Sequence, residues 1–171
     1  MIEPFKGKHP QIHPEAFVHA AASLIGDIEI GAQSSIWPNV TLRGDDGPII
    51  IGSQTSIQDN SCIHCTEGMS KTTIGNRVTV GHSVVLHGCT IGDDALIGMG
   101  AIILDNAVVE SGAMVAAGAL ITPGKIVRAG TLVAGNPMRI LRELAERDLA
   151  MIQFSWRAYV ERTREYLAAR G

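Results

Sequence analysis

Aliphatic residues recur every six positions along most of this chain. The series runs Val18, Leu24, Ile30, Ile36, Leu42. It resumes after three extra residues as Ile51, Ile57, Ile63, and after five more as Ile74, Val80, Leu86. One residue is then skipped, and the series continues as Ile91, Ile97, Ile103, Val109, Val115, Ile121. Glycine often follows the aliphatic residue, as in Ile30-Gly31, Ile51-Gly52 and Ile91-Gly92. A period of six matches neither a helix of 3.6 residues per turn nor the two-residue alternation of a hairpin. It predicts a solenoid in which each hexad is a short strand plus a turn and three hexads close one coil. The aliphatic residues then point inward, with small residues at the corners.

The pattern covers roughly residues 14–135 and stops at Gly135-Asn136-Pro137, a turn signal. The segment from Arg142 onward reads as helix. Leu149, Ile152, Trp156, Tyr159, Thr163 and Leu167 fall near one of its faces at steps of three and four. The expected organisation is a metal-binding β-helix domain over residues 1–137, with residues 138–171 forming a C-terminal helix packed on its outside.

Composition narrows the class. With 46% hydrophobic, 4% aromatic and 18% charged residues and 19 glycines, the chain favours many short strands. A net charge of −3 argues against a general nucleic-acid binder. No run approaches the ~20 apolar residues of a membrane span. The N-terminal stretch has no apolar signal-peptide segment, so the expected location is cytoplasmic. Cys62, Cys65 and Cys89 do not form a disulfide framework, and reduced structural thiols are expected.

The register places candidate chemistry. If Ile51, Ile57 and Ile63 form one coil and Ile74, Val80 and Leu86 the next, Ile63 stacks under Leu86. His64 and His87 then share one outward column, one rung apart, at the ~4.8 Å spacing of neighbouring strands. Two such imidazoles can converge on one cation at metal–nitrogen distances of ~2.0–2.1 Å. His82 follows Val80 by two residues, on the next wall. Its backbone should lie about 10–16 Å from that of His87. One chain does not easily bring both to one ion, whereas three copies around a threefold axis can. Leu42 stacks below Ile63, so Arg43 joins the column of His64 and His87. The segment Arg43-Gly44-Asp45-Asp46-Gly47-Pro48 is expected to be a loop beside it. Asp59 stacks in the column of His82. An Arg43–Asp45 ion pair and a water held by Gln58 or Asp59 are chemically reasonable there. Glu67 lies where it can reach solvent.

The hexad pattern resembles the left-handed parallel β-helix of hexapeptide-repeat proteins, and the handedness comes from that resemblance. More specifically, RGDDG, SIQDN, IHCTEG and TVGHSVVLHGCTIGDDALIGMGA resemble the signature of γ-class carbonic anhydrases and their bacterial homologues. The resemblance implies a homotrimer that hydrates CO2 to bicarbonate. Its metal is Zn2+, or Fe2+ or Co2+, held by His64, His82 and His87 between subunits. It implies an interface ion pair at Arg43 and Asp45, with Asp46 a second acidic position. It also implies active-site roles for Gln58 and Asp59, a proton shuttle at Glu67 and an active-site tyrosine at Tyr159. Glu161 stands where the best-known member has asparagine, and that member's longer acidic loop is missing between His64 and Ile74. The alternatives are a hexapeptide-repeat acyltransferase or acyl-CoA thioesterase, or a catalytically inactive metal-binding trimer.

Overall fold

The structure is a computed structural model, described here for residues 1–169. It is mainly β: a parallel solenoid followed by one helix, Glu146–Ala168. Three columns of inward aliphatic residues build the core, one per wall. The first pairs Ile12, Ile30, Ile51, Ile74, Ile91, Val109 and Val127 in register. The second pairs Val18, Ile36, Ile57, Val80, Ile97, Val115 and Val133. The third pairs Leu24, Leu42, Ile63, Leu86, Ile103 and Ile121. Nearly all are fully buried, so each contributes on the order of 1.5–3 kcal/mol of transfer free energy.

The corners explain the period. The third residue after most inward aliphatics adopts a positive φ, as at Gln33, Asn39, Gln54, Asn60, Arg77, Ser83, Asp94 and Asn106. This left-handed step turns the strand onto the next wall. Asparagine and aspartate tolerate it because their short polar side chains can bond the local backbone. Buried alanines and valines, such as Val78, Val84, Ala95, Ala101 and Ala107, fill the corners inside.

Three expectations need correction. Arg43–Pro48 is not a loop: it lies within an eleven-residue strand, Thr41–Ile51. This strand crosses a corner, pairing Leu42 with Ile63 at one end and Ile51 with Ile74 at the other. Pairing to the strand Ser23–Ile30 runs through Gly26–Gly44 and resumes at Ile28–Ile49, so residues 45–48 form a bulge at the register shift. Second, the chain does not enter the helix directly. Arg139–Glu143 is a strand that runs antiparallel along Thr131–Ala134, the last rung of the second wall. Third, Leu149 points to solvent at 49% exposure. The docked face is Asp148, Ile152, Val160 and Thr163, with Trp156, Tyr159 and Leu167 half-buried.

The helix lies against the early rungs of the second wall, Phe17–Val18, Ser35–Ile36, Ser56–Ile57 and Thr79–Val80. Its seat is aromatic. Trp37 stacks edge-on to Tyr159 and Tyr166, with ring centroids 5.6 and 5.1 Å apart. The Trp37 indole N–H donates to Ser35 and Ser56 hydroxyls, both at 3.0 Å. Its polar edge is therefore satisfied although the ring is buried. No helix among the described residues is long and apolar enough to cross a membrane.

Candidate metal centre

His64 and His87 are direct register partners on the third wall. His64 Nδ1 lies 3.3 Å from His87 Nε2. On each of the three candidate histidines, one ring nitrogen faces a carboxylate. His64 Nε2 faces Asp45 Oδ1 at 3.2 Å and Asp46 Oδ2 at 3.1 Å. His87 Nδ1 faces Asp105 Oδ2 at 3.1 Å. His82 Nδ1 faces Asp59 Oδ2 at 3.0 Å. An ionised carboxylate only accepts, so each of these nitrogens carries the ring N–H. In neutral rings the remaining nitrogens, His64 Nδ1, His82 Nε2 and His87 Nε2, would hold the lone pairs.

As neutral rings, the pair would aim two lone pairs at each other across 3.3 Å, an arrangement that favours a shared cation. Two nitrogens at ~2.0–2.1 Å from a tetrahedral ion are themselves about 3.3 Å apart. Carboxylate support of the distal nitrogen is also the usual setting of metal-binding imidazoles. The donor set therefore fits a cation of the zinc type. Arg43 completes the column: Nη1 donates to Asp45 Oδ2 at 2.7 Å, and Nη2 approaches His64 Nδ1 at 3.2 Å. This last contact uses the same nitrogen that faces His87, so a cation held by the pair would displace the guanidinium. Asp45, Asp46 and His64 also form a compact donor group, their ligand atoms within 4.8 Å of one another. Burial, the largest single effect, pushes the Asp45 carboxyl up, but the Arg43 hydrogen bond, Asp45's own backbone N–H and nearby positive charge together hold it below its ordinary value.

The third histidine stands apart. His82 and Asp59 occupy successive corner turns that follow the second-wall strands Thr79–Val80 and Ser56–Ile57. Serine stacking fixes these turns, with Ser83 N–H donating to Asp59 O at 2.9 Å. His82 is 43% exposed, against 12% for His64 and 30% for His87. Tyr159 reaches the same region from the helix: it shares a cavity of about 490 Å3 with Asp59, Trp37, His19, Phe154 and Arg162. Burial, then the nearby Asp59 carboxylate, raises its hydroxyl above the usual value, so it stays a donor at neutral pH.

The other expected residues divide. Gln58 is 5% exposed, and its amide has no hydrogen-bond partner among the described residues, an open capacity next to Asp59. Glu67 is exposed and borders a second cavity with Asp45, Asp46, Lys6 and Lys8. Glu161 points away, paired with Arg164 at 3.1 Å. The three cysteines are free; Cys65 and Cys89 are buried, and burial pushes the Cys89 thiol up to about 12. The residue that sequence reasoning missed is Asp105. Its signal was faint, an acid two positions beyond Ile103 on the rung above His87.

Comparison with known proteins decides the lineage. A family model described as bacterial transferase hexapeptide (six repeats) matches residues 71–102 and 88–123. A carbonic anhydrase of Geobacillus kaustophilus is 44% identical over 98% of this chain and 92% of its own length. The mitochondrial gamma carbonic anhydrase 1 of Arabidopsis thaliana is 45% identical over 86% of this chain and 56% of its own. The chain belongs to the γ-class carbonic anhydrase family. That family's hexapeptide repeats also carry other names. A Bacillus subtilis protein called uncharacterized transferase YtoA is 52% identical over 97% of this chain and 96% of its own. The crystal structure of a putative acetyltransferase from Bacillus cereus superposes with a TM-score of 0.96 at 40% identity, covering 98% of this chain and 97% of that one. Membership in the γ-class family thus rests on whole-chain similarity, and the chemistry has to be argued from the site.

Proposed function

We propose that this protein is a metal-dependent carbonic anhydrase that hydrates CO2 reversibly at sites shared between the chains of a homotrimer. The observation that carries this reading is the facing ring nitrogens of His64 and His87, 3.3 Å apart, with a third carboxylate-held imidazole, His82, on the neighbouring wall. Three neutral imidazoles leave a tetrahedral cation one open position, the mark of a catalytic site. When bound, Zn2+, Fe2+ or Co2+ supplies a water acidic enough to ionise near pH 7. His64 and His87 of one chain, with His82 of a neighbour, would hold it. Gln58 offers its unpartnered amide to the reacting oxygen. Tyr159 closes the helix side of the site as a neutral donor. Arg43 and Asp45 hold His64 in place and lie where a neighbouring chain would dock. Glu67 passes the proton to buffer from the exposed mouth.

Self-association has its own support. Cys62, Val85, Ile102 and Leu120 pair in register as an outward apolar ladder beside the imidazole column. Ile102 is 39% exposed in the single chain, and Met99 and Phe154, near His82 and the Asp59 cavity, are 60% and 74% exposed. A ladder of this kind on one wall and apolar side chains near the other half-site suit a cyclic contact between copies.

Acyl transfer or thioester cleavage is the second reading. It draws on the aromatic cavity beside Asp59, whose volume of about 490 Å3 far exceeds the need of CO2. Elemental analysis of anaerobically purified protein, followed by stopped-flow CO2 hydration, separates the readings. The proposal expects about one metal per chain and a rate well above buffer that is lost on chelation and restored by metal. Full metal loading without any rate above buffer overturns it.

A further inference from the structure

We propose that Asp105 is a positioning residue for this centre: the hydroxyls of Ser70 and Thr66 hold its carboxylate, and it holds His87 in the tautomer that leaves Nε2 free. The inference rests on the metal-centre reading above. The geometry is closed on every side. Asp105 Oδ2 accepts from His87 Nδ1 at 3.1 Å and from Thr66 Oγ1 at 3.3 Å. Asp105 Oδ1 accepts from Ser70 Oγ at 2.5 Å. Ser70 Oγ in turn accepts the Thr66 backbone N–H at 3.0 Å. A neutral imidazole can carry its proton on either nitrogen, and the partner of one decides which. With both oxygens engaged, this carboxylate has no freedom to release Nδ1.

The backbone is built around the same contact. Gly88 has φ +62°, and a Cβ there would collide with Asp105 Oδ1 and Ser70 Oγ. Gly88 N–H donates to His64 O at 2.9 Å and to Thr72 Oγ1 at 3.0 Å, and Thr72 Oγ1 donates to His64 O at 2.7 Å. One cluster therefore locks the main chain of His64, the ring of His87 and the segment 66–70. That segment carries Glu67. Asp105 thus sets the donor nitrogen of one ligand and, through the two hydroxyls, the place of the group proposed to export the proton.

The test is nitrogen-resolved NMR of the histidine rings in metal-free protein at a pH where they are neutral, paired with zinc affinity by chelator competition. In the native sequence His87 should show the Nδ1–H form. Asp105→Ala should convert His87 to a mixture with Nε2–H while His82, which has its own Asp59, stays unchanged. Zinc affinity should fall about 10–100-fold, the usual cost of losing an outer partner. Asp105→Asn keeps an acceptor oxygen and should keep the tautomer, with a smaller loss of affinity. Ser70→Ala, the milder variant, should speed amide exchange over residues 66–70 and give a partial His87 shift. An unshifted His87 in Asp105→Ala, an Asp105→Asn no better than Asp105→Ala, or a Ser70→Ala protein identical to the native one would each overturn the proposal. Native protein that takes up no zinc, yet shows the His87 response to Asp105→Ala, removes the metal reading and leaves the positioning role standing.

Discussion

Each candidate ligand owes its chemistry to a residue that is distant in sequence. His64 is served by Asp45 and Asp46, His82 by Asp59, and His87 by Asp105, separations of 18–23 residues set by the coil length. The histidine columns, Arg43 and Asp59 were legible because they sit one or two positions from inward aliphatics whose phase is clear. Asp105 was not, because its role depends on a hydroxyl pair in the segment after His64, and periodicity says nothing about that segment. Glu67 gives a prediction at this scale. It is exposed at the mouth, so Glu67→Gln should slow turnover in dilute buffer on the order of 10²-fold and leave kcat/KM nearly unchanged. Concentrated imidazole buffer should restore kcat. Stopped-flow assays across buffer concentration check this, and equal slowing at all buffer levels would remove Glu67 from the proton path.

Elements show where hexad reading ends. The strands of all three walls followed directly from the six-residue phase. The strand Arg139–Glu143 did not, because its sequence RILRE lies next to a helical pattern and pairs only to cover the final rung. Arg43–Pro48 looked like a loop because three residues were added; pairing to Ser23–Ile30 on both sides of the bulge keeps it within one strand. Asp148 joins the last strand to the helix. It takes a two-pronged contact from Arg142 and accepts the Ala145 N–H at 2.7 Å, capping the helix start. The Arg142 guanidinium, then the Ala145 N–H, hold its carboxyl at about 2, below the ordinary 3.8. A depressed carboxyl stabilises the fold fully above 3.8 and loses that contribution as pH falls toward 2. Asp148→Asn should therefore lower the thermal midpoint at pH 6, and the gap to the native protein should close between pH 4 and 2. Thermal melts at several pH values measure it, and a gap independent of pH would contradict the assignment.

The whole molecule is a solenoid that carries the candidate histidines on two of its walls. Its core is quasi-one-dimensional, so each rung leans mainly on its neighbours. Ile57 is fully buried between Ile36 and Val80, and Ile57→Ala should cost ~2–5 kcal/mol in denaturant unfolding. A loss below ~1 kcal/mol would mean the second-wall column is less closely packed than described. The coil geometry keeps His82 on a different wall from His64 and His87, so under the proposed function completing the centre falls to a second copy. Reassortment of single-histidine variants tests this most directly. Chains with His82→Ala and chains with His87→Ala each lack complete sites alone. Mixed trimers should each regain one, pairing His64 and His87 of the first with His82 of the second. An equal mixture should recover about one quarter of native metal content. Confirmed mixing with no recovered metal, or full metal binding by the His82→Ala protein alone, would contradict a centre shared between chains.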